Sequence, residues 1–536
     1  MFETQKKIKE RLIESFGNLK NDPFYFDSIE KYFRNKDQTD VFQVLSDKTC
    51  NDLDFNELFM FVDRTISKVG QQFLFNTLRT IPSNADNLAE QEKLIQQITN
   101  DSNLRLNIQL QLDKLTRESS YFITSLFQDE HIKKPKWFFV IPLLSFTSLL
   151  SILFMQFTPQ FFFVLLGVMV INVGIHYWNK QNLNEYLGTI PQLLILNKVA
   201  KELLKYKILK SISTDLLESI NIIEQVKNRM ALFKLEVKVQ SDIGIAFWSF
   251  LELFKALLLL EPLLLFGVLR QLDTKRREIE KVYSFVGYVD SLVSIASLRR
   301  GLASFCLPEI ENDRKVIVAT EMYHPLIMNC IPNSIHVDGK SILLTGSNMS
   351  GKTSFIRTIG LNIITGLTIN TCFAKQFCMS RLKVFSAIRI SDNLMNDKSY
   401  YFEEVLTIKE MIEKSQMPES NLFLLDEIFK GTNTIERLSA GRAVLSYLNN
   451  KSNIVFVSTH DIELAELLKD TYNMYHFSEQ VGNKTVDFDF KLKEGKLKNR
   501  NAIRILEIND YPEQIITEAI ELSKELDKIY IVNKNV

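Results

Sequence analysis

Apolar residues recur at three- and four-residue steps through LDFNELFMFVDRTISKVGQQFLFNTL (53–78), the period of an amphipathic helix. IPSNAD (81–86) breaks the pattern, and NLAEQEKLIQQITNDSNLRLNIQLQLDKL resumes it with an interruption at Asn100–Ser102. Between Trp137 and Trp178 the mixture of polar and apolar positions stops, and the run holds no Asp, Glu, Lys or Arg. It splits at Gln156-Phe157-Thr158-Pro159-Gln160 into two stretches of roughly 18–20 residues, each able as a helix to cross a ~30 Å hydrocarbon layer. A soluble helix of that length ordinarily keeps one polar face. The pattern therefore predicts a transmembrane helical hairpin over 131–182, with lipid contact through 137–178. A hairpin buried in a large soluble core is the alternative. Lys133, Lys134 and Lys136 precede the run, Lys180 follows it, and the turn is uncharged. The positive-inside rule then puts both ends of the hairpin in the cytoplasm, which makes this an integral protein of the cytoplasmic membrane with both termini inside.

Residues 183–310 return to long helical patterns of mixed charge. IAFWSFLELFKALLLLEPLLLFGVL (245–269) is apolar enough to be weighed as a third span, but Glu252, Lys255 and Glu261 interrupt it and Pro262 would kink it. A packed lever helix is the expected form. From about Val316 the texture changes: KVIVA, SILLTG, NLFLLDE and NIVFVSTH alternate with helical segments, the βαβ rhythm of a parallel sheet buried on both faces. The expected fold is mixed. A long-helix, all-α core and lever region (1–130 and 183–310) carries the hairpin (131–182) and is followed by an α/β P-loop ATPase domain of ABC type (311–536).

Composition narrows the picture little. Lys+Arg and Asp+Glu both number 64 in 536 residues, so the formal net charge is zero and there is no global electrostatic case for nucleic acid. The five cysteines form no CxxC pattern, which points to free thiols rather than a zinc site. MFETQKKIKERLIESF at the N-terminus is charged and helical in pattern, unlike a signal peptide.

The chemistry is concentrated in TGSNMSGKTSF. Gly346, Ser347, Asn348, Met349, Ser350, Gly351, Lys352 and Thr353 fit GxxxxGK[ST], between strand-like SILLT and helix-like SFIRTIGLNIITGL, which begins at Ser354. Glycines let backbone N–H groups wrap phosphates at a helix N-terminus. Lys352 supplies charge at the β/γ-phosphates, and the Thr353 hydroxyl is a Mg²⁺ ligand. NLFLLDE (421–427) delivers Asp426 and Glu427 to a strand end, one to hold the hydrated metal and the next to orient the attacking water. IVFVSTH (454–460) ends on His460, placed to sense a γ-phosphate. The expected cofactors are ATP and Mg²⁺. LSAG (438–441) has the letters of a transporter signature but follows the Asp-Glu element, so it is expected to be helix.

TGSNMSGKTSFIRTIGLN closely resembles the P-loop of the DNA mismatch-repair MutS family. LLDEIFKGTNTIERLSAG (424–441), RISDN (389–393) with Ser399 to Glu404, STHDIEL (458–464), EMYHPLI (321–327) and YPEQIITEAIEL (511–522) resemble further segments of that family in the same order. LFMFVDRTISKVGQQFLFNTLRTIP (58–82), with LAEQEKLIQQI, is similar to the family's core segment. The resemblance implies a nucleotide-gated homodimer in which Ser399 completes the partner's site and the last helix supports dimerisation. The departures count too. About fifty residues precede the core-like segment, so a mismatch-recognition domain is not expected. The hairpin lies where lever helices would reach a DNA clamp. Phe429-Lys430 replaces a Gly-Arg pair, Asn433 replaces a Ser, and Asn501-Ala-Ile503 replaces a Ser-Tyr-Gly. Two functions stay open: a membrane-anchored ATPase acting on mismatched, damaged or branched DNA, and a membrane-bound ATP-driven switch or scaffold that no longer binds DNA. KLKEGKLKNRNAIR (491–504), with six basic residues and one acid, is the only further DNA signal and reads equally well as a solvated hairpin. A transporter is a weaker third reading.

Overall fold

The computed structural model describes the chain except residues 1–3, 85–87, 213–214, 226–252, 312–313, 348, 390–399, 451, 482–485, 498–501 and 533–536. It divides into two units: residues 1–39, 62–79 and 86–301 form one, and 40–61, 80–85 and 302–536 the other. The expected first region, 1–130, is thus shared between them, and each unit is described by itself.

In the second unit four of the apolar runs become strands, Val316–Met322, Ser341–Thr345, Asn421–Asp426 and Ile454–Thr459. The last three join a six-stranded sheet in the spatial order Lys493–Glu494, Tyr472–His476, Ser341–Thr345, Ile454–Thr459, Asn421–Asp426, Lys383–Ala387. Its neighbours are parallel except for the antiparallel 493–494 edge. Leu422–Leu425 and Ile454–Val457 have no exposed surface, as expected where helices cover both faces. Ile408, Met411, Leu445 and Leu448 cover one face. On the other, the helix Lys352–Ile369 comes so close that a Cβ on Gly360 would lie 2.7 Å from Leu424 Cδ1.

The run KVIVA departs from the expected parallel sheet. Val316–Met322 pairs antiparallel with Asn333–Asp338 and Gln376–Ser380 in a separate four-stranded sheet. An apolar run alone does not tell which sheet it enters. The helical reading of 1–130 also missed two strands, Val41–Val44 and Thr80–Pro82, which pair antiparallel. They are too short for periodicity to betray. Within the first of them the Gln43 side-chain amide acts as a further strand would: Nε2 donates to Val384 O and Oε1 accepts from Val384 N, both at 2.7 Å. This closes the open side of the sheet's last strand. Asp52, fully buried, accepts from the Ser386 hydroxyl at 2.7 Å and from the N–H groups of Ile388 and Arg389 at 3.1 and 2.9 Å.

The first unit is helical. Its longest buried helix, Arg276–Gly301, crosses Lys68–Arg79 where Gly70 lies against Asp290 and Gly287 against Phe73. Asp290 is wholly buried and accepts from Ser67 N at 2.7 Å, Ser67 Oγ at 2.6 Å and Ile66 N at 3.0 Å. The apolar run folds as Val140–Phe154 and Gln160–Leu187, two helices packed on each other with the turn at 155–159. Lys136–Phe154 and Gln160–Trp178 are each long and apolar enough to cross a membrane, and little of either is buried (22% and 11%). Phe139, Leu143, Phe146, Leu153, Phe163 and Val170 are all more than half exposed. Of the doubtful segment 245–269, residues 245–252 lie outside the described residues. The remainder is neither a continuous span nor a continuous lever helix: it breaks at Leu259, which has φ +47°, before the helix Leu260–Asp273.

Candidate active site

The parallel register sets the site. Thr345 pairs with Thr459, and Ser458 with Asp426, so three adjacent strands end level and release their loops at one edge, where α/β sheets bind ligands. The loop after Ser341–Thr345 turns through Gly346 (φ +153°), Met349 (φ +66°) and Gly351 (φ +105°) into the helix Lys352–Ile369. Glu427 (φ +52°) and Phe429 (φ +59°) also take left-handed backbone. Non-glycine residues rarely sit there, and such strain gathers at functional loops.

Lys352 is 5% exposed; its Nζ donates to Gly346 O at 2.9 Å and Ser347 O at 2.8 Å and lies 3.5 Å from His460 Nε2. Burial pulls its pKa down, and the nearby Asp426 and Glu427 oppose that shift. Thr353 Oγ1 donates to Asp426 Oδ2 at 2.7 Å, and Ser458 Oγ bonds the other Asp426 oxygen. Two hard oxygen donors are therefore side by side, the chemistry Mg²⁺ selects when a nucleotide's phosphates and waters supply the remaining ligands. No cluster of three or more His, Cys, Asp or Glu suited to a metal occurs among the described residues. Glu427 Oε1 lies 2.5 Å from His460 Nε2, and Lys430 bonds its other oxygen. The hydrogen bond to His460, then that to Lys430, holds the Glu427 carboxyl down at about 2.

These groups border a cleft of about 360 Å³, lined also by His324, Met328, Ile331 and Phe490. Burial pushes His324 down to about 4, and its Nδ1 accepts from Leu326 N at 3.3 Å, so a neutral aromatic ring faces the cleft. Of the expected site residues, Ser350, Gly351, Lys352, Thr353, Ser354 and Glu427 all border the cleft. Met349 does too and is 84% exposed. Asp426 and His460 adjoin it through Thr353 and Glu427, while Asn348 and Ser399 lie outside the described residues. LSAG is helical, within Thr434–Leu448.

Two participants were not singled out in the sequence, and a third, Glu404, stood there in a matched segment without a role. Glu479 accepts from the Ser347 hydroxyl at 2.6 Å. Phe490 lies against Gly351, 3.3 Å from where its Cβ would be. Glu404, 1% exposed, accepts from Phe429 N and so fixes the loop after Glu427; burial raises its pKa. An acid flanked by apolar residues in SYYFEEVLTI was the available signal for Glu404. Nothing marked the other two.

A family model described as MutS domain V matches residues 342–527. The DNA mismatch repair protein MutS of Aquifex pyrophilus is 27% identical over 266 residues, 47% of this chain and 30% of that protein. The DNA mismatch repair protein MutS of Leptospira interrogans serovar Lai is 30% identical over 260 residues, 45% of this chain and 30% of that protein. The DNA mismatch repair protein MSH3 of Saccharomyces cerevisiae is 26% identical over 295 residues, 52% of this chain and 29% of that protein. The chain thus spans about a third of the length of these curated relatives. The similarity to the MutS family thus lies in the domain that carries the cleft, over residues 342–527.

Proposed function

We propose that the chain is an ATP-binding and hydrolysing protein, a nucleotide-gated dimer anchored in the cytoplasmic membrane by its hairpin. The observation that carries the reading is the convergence of Lys352, the Thr353–Asp426 pair and Glu427 at the level ends of three parallel strands. Lys352 exchanges its loop carbonyls for β- and γ-phosphate oxygens, and the backbone N–H groups of 346–354 wrap the phosphate chain. Thr353 and Asp426 would hold Mg²⁺, which would supply stabilisation of charge developing on the phosphoryl oxygens. Glu427 orients the attacking water and accepts its proton, and His460 then turns from Glu427 toward the γ-phosphate. Ser399 reaches the partner's site when the dimer closes. Differential contact with the γ-phosphate makes closure depend on the nucleotide state.

The membrane reading rests on the length, exposure and flanking charge of the hairpin. Two adjacent helices with outward Phe, Leu and Val along both would present an apolar surface far beyond the few hundred Å² that soluble monomers expose. Lipid resolves that. The lysines at 133–136 and the Trp137–Trp178 ring pair, 5.0 Å between centroids, stand at the base as interfacial anchors.

Two roles for the ATPase each have their own support. DNA, mismatched, damaged or branched, is favoured by the relatives, which are named as mismatch repair proteins. A DNA-free switch or scaffold is favoured by the hairpin and the zero net charge. Purified in detergent, the full chain should hydrolyse ATP only with Mg²⁺ present; no turnover under those conditions sinks the proposal. Duplex binding at about 50 mM salt decides the role, since phosphate contacts are strong there: affinity supports DNA and none supports the switch.

A further inference from the structure

We infer that Leu253–Asp273 is a third membrane-embedded element, a broken helix held against the hairpin within the lipid layer; this rests on the membrane reading above. The argument begins at Pro262. Proline has no N–H, so the carbonyl of Leu258 loses its helical donor four residues on. The chain breaks there, with Leu259 in left-handed backbone (φ +47°, ψ +38°). In water the freed carbonyls would be solvated. In hydrocarbon they would be strongly unfavourable, and neighbouring helices must supply donors.

The hairpin supplies them. Ser145 Oγ donates to Leu258 O at 2.8 Å, and Asn172 Nδ2 donates to Leu257 O at 2.7 Å and to Ser148 Oγ at 3.0 Å. Ser148 and Asn172 have no exposed surface and Ser145 is 9% exposed, although the hairpin as a whole is largely open. Three polar side chains of an otherwise largely apolar hairpin, Ser145, Ser148 and Asn172, are therefore buried at the break. Ser145 lies nine residues into the span Lys136–Phe154, about 14 Å along it at 1.5 Å per residue, near the middle of a hydrocarbon layer.

Charge is managed in the same way. Glu261 is 5% exposed, with Oε1 2.8 Å from Lys255 Nζ and Oε2 3.4 Å from His176 Nδ1. A compensated pair is the form in which ionisable groups persist inside a membrane. Phe138, Ile141, Leu259 and Phe266 close the junction with an apolar cluster. On the outside, Leu253 and Phe254 are 48% and 45% exposed, continuing the apolar skin of the hairpin.

The test uses the full chain in phosphatidylcholine–phosphatidylglycerol vesicles, labelled with a lipid-soluble carbene precursor and mapped by peptide mass. Label on the hairpin's outward residues and also on Leu253–Phe254 is the expected result. Label on the hairpin with none at 253–254 overturns the third element while leaving the anchor standing. Absence of label from both removes the membrane reading and this inference together. In Asn172→Leu, label over 257–263 should rise at least twofold as the break loses its tether. An unchanged pattern there overturns the hydrogen-bonded docking.

Discussion

The P-loop cleft and the interior of the hairpin face the same problem, backbone carbonyls turned out of regular structure, and meet it with opposite chemistry. At the P-loop the donor is a charged amine, Lys352, whose two carbonyl bonds can be traded for phosphate oxygens. At the broken helix the donors are neutral and short, Ser145 and Asn172, buried among apolar neighbours. A cation is useful where binding must respond to a ligand's charge. A neutral hydroxyl or amide is the cheaper donor where the bond only has to last, because no ion need be desolvated.

By that contrast, substitutions in the cleft are expected to alter function and those in the hairpin to alter stability. The largest effect is expected for Glu427→Gln: steady-state turnover should fall about a thousandfold, on the scale of a lost general base, with nucleotide affinity nearly unchanged. Normal turnover would show that Glu427 does not activate the water. Lys352→Ala should weaken nucleotide binding about a hundredfold in a fluorescent-nucleotide titration, through loss of a charge-assisted phosphate contact. Affinity within threefold of the parent would place the phosphates elsewhere.

Asp52→Ala leaves three donors unmet, from Ser386, Ile388 and Arg389. Denaturant unfolding should show a loss of about 3 kcal/mol. Ser145→Ala should lower stability by about 1 kcal/mol without changing ATP turnover; a turnover defect there would break the division between the two regions. The smallest effect is in pH. The folded pKa of Glu427 is depressed to about 2 by His460 and Lys430, so its contribution to stability is present above the ordinary carboxylate range and disappears as pH falls through about 2. The difference in melting temperature between the parent and Glu427→Gln should therefore be full near pH 6 and shrink below about pH 4.5.

The cleft was far more legible in the sequence than the hairpin's interior. A P-loop, an acid pair at a strand end and a histidine after the next strand are local patterns whose spacing encodes their chemistry, so Lys352, Thr353, Asp426 and Glu427 could be named before any geometry. His460 could be named as well, but its contact with Glu427 could not, because two loops meet only once the strand register is fixed. The hairpin's length and apolarity were plain. The purpose of Ser145 and Asn172 was not, since their partners lie 113 and 85 residues away, and no period links them. Pro262 gave notice of a break but not of what would satisfy it. The strand pair Val41–Val44 with Thr80–Pro82 stayed hidden inside helical patterns, and with it the membership of 40–61 in the C-terminal unit.

The Gln43 amide bears on how the protein can be handled. It occupies the hydrogen-bonding groups of Val384 on the outermost strand of the parallel sheet. A fragment cut to begin near Leu302 would leave that strand bare, and a bare sheet edge recruits strands from other molecules. Such a fragment would contain every residue named around the cleft and still tend to precipitate. Carrying 40–61 along, in the same chain or as a separately supplied peptide, should restore its solubility.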